Sequence, residues 1–440
     1  MTTGSPPSVN SDSVLDLEKE AVAVDQHSDG HNHVPPSSLT FVRVANGEYS
    51  LSTTRRIRSI PPLAIGFLDL ANSGDFAANV FNHVPVPVYA IVLMAIGATV
   101  ALIMSFVALH DFTCSWKNIK LLREEWACLK SVDADKSAEL EISHRDLGTE
   151  IFDRAGVDVA MGIGAFLIAI GTYMAIGGAN HKVWFASNLL SGYIGNALPA
   201  LYGICNVGWS VHIWTRAHKQ HCAVSKHLQD DIAKQLLLTR LRKTQGHAIL
   251  TGVVCLVSGA LSMVTPTHWW PYPVLLVCGL AFIYSTWVYR HQIGYERRML
   301  KEGTILDEGF LTAELRFLHS TKTAMQRNLS DWVTLQLADM SISDLLGLLV
   351  RCDLFDDLCS TLLNKSHSVK HHFDNSLPST PIDQQTLLNL EKPEQVAEIF
   401  GCARSHLEQY GLQSISIRER YLLECLGACL LHRKGDEKDG

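Results

Sequence analysis

The stretch RAHKQHCAVSKH, residues 216–227, sets His218, His221, Cys222 and His227 within one short run. His218 and His221 are three apart and His218 and Cys222 four apart, so on a helix they share a face. Imidazole nitrogens and a thiolate together are the donors that zinc or iron takes. Structural zinc wants four ligands and a catalytic iron site several, so this face is a fragment that needs partners from elsewhere. Histidines at comparable places are His110, His212, His247 and His291, each at the end of an apolar run and so in one layer in depth. HSVKHH, residues 367–372, adds His367, His371 and His372.

These fragments are similar to the histidine boxes that membrane di-iron hydroxylases and desaturases carry on their cytosolic face. That resemblance would imply an iron-dependent membrane oxidoreductase. The family's boxes read HxxxH and HxxHH. HKQHC lacks the paired final histidines, and HSVKHH has the wrong gap and falls far along a polar segment. A b-type haem would want histidines facing each other within spans, and these sit at span ends. The plainer reading is a solvated basic loop just past a membrane helix, and it is preferred. No residue is therefore assigned as catalytic, cofactor-binding or metal-ligating, and no cofactor is expected. The chain also holds no P-loop, GxGxxG, GxSxG or HExxH pattern, and GIGAFLIAIG lies inside an apolar run where it cannot cradle phosphate.

The elements that would position such residues are membrane spans. Charged residues make up 18% of the 440 positions, below the roughly 25% of ordinary soluble chains. The net charge of −7 gives no basic footprint for nucleic acid. Apolar residues gather between about 88 and 290, in runs long enough to cross roughly 30 Å of hydrocarbon. Five spans are expected, at 88–109, 157–178, 187–214 (its apolar run opening at 183), 248–265 and 271–289, with Pro199 kinking the third. Trp184, Trp269, Trp270 and Tyr272 at one set of ends, and Trp209, Trp214, Trp287 and Tyr289 at the other, suit two aromatic belts.

Basic residues orient the bundle. Lys117, Lys120 and Arg123, then Arg216 to Lys243, then Arg290, Arg297, Arg298 and Lys301 all follow odd-numbered spans, and the opposite short loops hold Lys182. The positive-inside rule makes the basic side cytosolic. The C-terminus is then cytosolic and the N-terminus opposite, unless a further or re-entrant pass near 60–81 brings both ends inside. Arg55, Arg56 and Arg58 resist the five-span version, because it leaves them on the far side. None of the cysteines falls in the tail or loops placed outside, so no disulfide framework is implied.

Within the spans, Asn196 and Asn206 flank Pro199, and Asp153, Arg154 and Asp158 stand at the mouth of the second. Buried amides on a kinked helix mark either a solute path or bonds to neighbouring helices. Ala165/Ala169, Gly171/Ala175, Ser191/Gly195 and Gly192/Asn196/Ala200 repeat small residues every fourth position. They suit packing within the bundle or a homo-oligomer face. Trp116, Ile119, Leu122, Trp126 and Leu129 make an amphipathic helix over 114–132, fit for anionic lipid or for docking on a cytosolic domain.

The expected architecture is all-α: a polytopic membrane protein with about five transmembrane helices and a helical cytosolic C-terminal domain. Residues 1–52 are expected to be a disordered polar tail, 53–87 a basic interfacial segment, 88–290 the transmembrane region and 291–440 the cytosolic domain. Three helix signals are read in that domain: Pro381 after Thr380, Pro393 to Gly411, and a capping box at SIRE, residues 416–419. The expected function is a non-enzymatic scaffold or accessory protein of an endomembrane or plasma membrane. Its partners are the lipid bilayer and proteins bound through 291–440, and not nucleic acid. A small-solute transporter and a metal- or haem-dependent oxidoreductase are the alternatives.

Overall fold

The computed structural model describes residues 39–43, 48–51, 56–61, 67, 76–80, 86–132, 137–177, 180–300, 307–366, 368–369, 379–390 and 392–439. Two long helical hairpins make its frame. Helix α2 (Val88–Val132) runs one way. The chain returns through α3 (Ser137–Thr149), a π-helical turn (Glu150–Ala155) and α4 (Gly156–Ile176). It descends again through α5 (His181–Ser187), a second π-helical turn (Asn188–Ile194) and α6 (Gly195–His227), and climbs along α7 (Asp231–Ser262). Helix α8 (Pro271–Val288) makes the last leg, with Pro271 in its first turn. Ala90 and Met94 pack near Ala175, and Ala108 near Val157 and Met161, as an antiparallel α2–α4 pair requires.

Four helical stretches are long and apolar enough to cross a membrane: Val88–Lys130, Ala138–Ile176, Asp231–Ser262 and Pro271–Ile293. The third expected span, 183–214, is helical throughout yet is not among them. Asn188, Asn196, Asn206 and Ser210 make it more polar than its neighbours. Pro199 lies inside α6, and the π-helical turn Asn188–Ile194 ends five residues before it.

Glycine and alanine let these helices touch. A Cβ on Gly203 would stand 2.5 Å from the Cys255 carbonyl oxygen, and one on Gly171 2.7 Å from the backbone nitrogen of Ser191. Ala165, Ala169, Ala175, Ser191, Gly192, Gly195 and Asn196 are all buried. These small faces meet one another within the chain, across α4, α6 and α7.

The segment expected to be a solvated loop, 215–247, is the end of α6 and the start of α7, joined by a turn that Asp230 caps through a bond from the Ala233 amide (2.9 Å). From Val224 on, its buried apolar residues recur every four or five positions. Ala217, Ala223, Val224, Leu228, Ala233, Leu237 and Leu241 are buried in one core with Leu315, Leu345, Leu358, Leu422 and Leu426. The core therefore runs from the hairpin tips into the C-terminal helices, and the expected boundary at 290/291 cuts through it. Those helices are α9 (Glu308–Arg327), α10 (Leu329–Ala338), α11 (Ile342–Arg351), α12 (Phe355–Lys365), α13 (Gln384–Leu388), α14 (Pro393–His406) and α15 (Leu412–Asp439).

Three end signals resolve differently from expectation. Asp383, not Pro381, starts α13, through a capping box with Thr386. Gly411 does not end α14; a π-helical turn (Leu407–Gly411) carries the helix on into α15. A Cβ there would meet Met325 Cε at 2.8 Å, so this glycine serves packing. SIRE lies inside α15, where Ser416 bonds back to the Leu412 carbonyl.

Five short strands were not expected. β1 (Leu39–Arg43) lies between β2 (Tyr49–Leu51) and the edge strand β5 (Ser379–Ile382), where Pro381 is tolerated. β3 (Arg56–Arg58) pairs with β4 (Glu296–Arg298). Residues 1–38 of the expected polar tail lie outside the described residues, but 39–43 and 49–51 are sheet. Arg56 and Arg58, expected at a membrane interface on the opposite side, stand beside the C-terminal helices, and Arg56 pairs with Asp353. The next helix, α1 (Phe76–Val80), is at the far end of the bundle. There Ala77 packs near Ala90 and Ala175, and Phe76 stacks edge-on against Tyr272 at 5.0 Å.

Candidate functional site

The helices bring the polar residues together where the bundle meets the C-terminal core. Two kinds of site form there: a layer of buried ion pairs and a pair of small, mainly apolar cavities with a few polar groups in their walls.

The ion-pair layer centres on Arg297, whose side chain is fully buried. Its Nη1 donates to Glu125 Oε1 (2.7 Å) and its Nε to Asp146 Oδ2 (2.8 Å). Tyr295 Oη donates to the other Asp146 oxygen (2.7 Å) and accepts from Arg145 Nη1 (3.0 Å). Beside it, Glu424 accepts from Arg216 Nη1 (2.6 Å) and Arg240 Nη1 (2.7 Å), and Arg216 Nε also donates to Glu141 (2.7 Å). Burial opposes the Glu424 charge, but Arg216, Arg145 and Arg240 overcome it and hold the carboxyl well below the usual range. Burial likewise opposes the Arg297 charge, and Asp146 and Glu125 push its pKa well above the ordinary value. The layer ties α2, α3, α6, α7, β4 and α15 to one another.

Above it lie the cavities. One of ≈40 Å³ is lined by Asp153, Arg154, Tyr202, Asn206, His247, Ser285 and neighbours. A second, of ≈20 Å³, shares Thr149, Asp153, His247, Thr251 and Tyr289 with it. Together they have room for only about a few waters, each needing ~10–15 Å³. Asp153 is held from α6, by Asn206 Nδ2 (3.1 Å) and Trp209 Nε1 (3.2 Å). Thr251 and Ser285 bond at 2.7 Å, and Tyr289 Oη meets Ser59 Oγ at 3.3 Å. The arrangement can order water or a small cation at the bundle mouth.

Among the residues singled out from sequence, Asp153, Arg154, Asn206 and His247 line this cavity. Asn196 does not; its amide bonds the Gly192 carbonyl and Thr265 Oγ1 (3.2 Å), which is packing. Asp158 faces α2 instead. It is buried, its neighbours in charge are Asp111, Arg154 and Glu150, and neither of its oxygens has a hydrogen-bond partner among the described residues. Trp209, Tyr272 and Tyr289, expected in the aromatic belts, are turned inward and buried. Asn206 follows Tyr202 by four positions, and Trp209 and Ser210 follow Asn206 by three and four. That polar stripe within a span is the signal that finds the cavity wall.

The histidines do not assemble. His218 Nε2 and Cys222 Sγ stand 3.9 Å apart on α6, and the His218 ring stacks on Trp214. His212 stacks on Trp209, His247 lies against Tyr289, His291 bonds the Trp287 carbonyl, and His110 is beside Asp111. Among the described residues no group of three or more His, Cys, Asp or Glu side chains is placed to hold a metal ion. His367, His371 and His372 lie outside the described residues.

The amphipathic stretch 114–132 is a continuation of α2. Ile119, Leu122 and Leu129 are buried, with Glu125 on the same face under Arg297, and this part of the helix packs on α3, the π-helical turn after it and β3. No family model, characterised protein or solved structure matches this chain.

Proposed function

We propose that this chain is a non-enzymatic membrane protein that holds a helical, partner-binding domain in fixed register with its transmembrane bundle. The observation that carries this reading is the buried Arg297–Glu125–Asp146 and Glu424–Arg216–Arg240 layer. Charges so deeply paired separate at great cost, so the C-terminal helices and the bundle move as one. The domain leaves Phe310, Leu335 and Tyr410 exposed, apolar side chains suited to a protein partner. The membrane is an endomembrane or the plasma membrane, with the basic side cytosolic.

Photocrosslinkers placed at Phe310, Leu335 and Tyr410 in cells test it. Discrete adducts from these positions, absent from a crosslinker at the exposed Arg433, are expected. Equal labelling everywhere would remove the scaffold reading.

A second reading, a path for a small cation or water, is favoured by the Asp153–Asn206 cavity. Its decisive substitution is at Asn206, which lines that cavity, and not at Asn196, which does not. Asn206→Leu should abolish flux in reconstituted vesicles, while Asn196→Leu should act through folding alone.

A further inference from the structure

Three exposed tryptophans stand where bundle helices approach the C-terminal core: Trp116 on α2 (42% exposed), Trp214 on α6 (38%) and Trp287 on α8 (43%). Each has a basic or imidazole side chain stacked on it from one or two turns further along. The Arg123 guanidinium lies 5.9 Å from the Trp116 ring centre. The His218 ring lies 5.3 Å from Trp214, almost parallel, and the His291 ring 4.9 Å from Trp287. All three helices run toward the same end, so in every pair the nitrogen-bearing group is on the C-terminal-domain side of the indole.

Contacts across the bundle set these pairs at one level. Asn118 bonds Glu150, Asp153 bonds Asn206 and Trp209, Gly252 adjoins Ser210, and Thr251 bonds Ser285. Followed from helix to helix, these matches put Arg123, His218 and His291 within about one helix turn, ~5 Å, of each other along the axis. That is less than the thickness of a headgroup layer. Lys117, Lys120, Lys219 and Arg290 are exposed at the same rim, in a chain of net charge −7. The rim is thus locally basic against an acidic whole.

We propose that the Trp116–Arg123, Trp214–His218 and Trp287–His291 pairs clasp the phosphate headgroups of anionic phospholipids. The indole lies at the acyl–headgroup boundary, where its amphipathic ring is favoured. The Arg123 guanidinium, the His218 imidazole and Nε2 of His291 as imidazolium, its Nδ1–H being donated to the Trp287 carbonyl, take the phosphate, backed by the rim lysines and Arg290. The histidines that look like metal-site fragments in the sequence act here as lipid donors. The proposal rests on the membrane reading above.

Full-length protein reconstituted in phosphatidylcholine vesicles, with or without phosphatidylglycerol, tests it. The lipid retained on the purified protein is then identified by native mass spectrometry. Phosphatidylglycerol should be enriched several-fold over its share of the vesicle. The R123Q/H218Q/H291Q variant should lose that enrichment without a change of unfolding temperature in phosphatidylcholine alone, and R123K/H218K/H291K should restore it. Arg404→Gln, on the exposed side of α14, should leave it unchanged. Equal enrichment in wild type and the glutamine variant, or none in wild type, overturns the clasps alone. Release of wild-type protein from vesicles by alkaline carbonate overturns the membrane reading, and the clasps with it.

Discussion

At the scale of single residues, the buried charges decide most. Arg297→Ala leaves Glu125 without its cation and takes from Asp146 one of its two, Arg145 remaining, in a site that excludes water. Breaking such a pair from one side costs about 3–5 kcal/mol, a large share of a typical folding free energy. A marked fall in the unfolding temperature of detergent-purified protein is expected, and a change near zero would mean the two carboxylates are solvated. Asp158 is the opposite case. Its oxygens have no partner among the described residues, so Asp158→Asn removes an unfavourable charge and should hold or raise that temperature. An unpaired buried group costs about 1–3 kcal/mol. Glu424 gives a pH test. Its folded pKa is depressed by the arginines around it, so its contribution is present above the unfolded carboxylate pKa. It is lost as pH falls through the lower, folded value. Wild type should therefore exceed Glu424→Gln in stability at neutral pH, and the two should converge only in strong acid. None of this was legible in the sequence. Arg297 read there as one of the basic residues that orient the bundle, because its burial depends on Glu125, 172 positions away.

At the scale of elements, apolar length and the small-residue stripes announced most of the bundle helices and their close approach. What the stripes touch was not legible. Gly203 sits against the Cys255 carbonyl, whereas nothing lies within 4 Å of a Cβ built on Gly208, five positions along the same helix. The contrast makes a paired expectation. Gly203→Ala must push α6 from α7, at about 1–3 kcal/mol for overpacking. Gly208→Ala should stabilise, by roughly 0.5–1 kcal/mol, because alanine orders a helix more cheaply than glycine. Thermal unfolding of the two variants checks both signs at once. The tips of the hairpins were misread as loop for a physical reason. Lys219, Lys226 and Lys234 colour the local composition, while the seam of Ala217, Val224, Leu228 and Leu237 finds its partners in the C-terminal helices, far along the chain. The cavity at Asp153 was half legible: its polar residues stood out, but the convergence of the α3 end with its π-helical turn, α6, α7 and α8 on them needed the fold.

At the scale of the whole molecule, the strands bear on topology. β1 and β3 pair with β5 and β4, so Leu39–Arg43 and Arg56–Arg58 lie at the same end as the C-terminal helices. Ser59 is still there, its amide bonded to the Tyr295 carbonyl (3.0 Å). Phe76, at the other end, stacks on Tyr272. The stretch between them, at roughly 3.3 Å per extended residue, has ample reach for about 30 Å of hydrocarbon. In a membrane-spanning chain, strands β1 and β3 at the same end as the C-terminal helices require an even number of passes. Arg56 and Arg58 then join the other basic residues on one side, and the conflict they raise in a five-pass chain disappears. The expected outcome is that a protease site inserted after Ser52 and one after Asp436 are both cut in inside-out vesicles and both protected in right-side-out ones. Opposite behaviour of the two sites would restore an odd number of passes. It would also require the β1–β5 and β3–β4 ladders to be broken in the membrane, since no strand can pair across a bilayer.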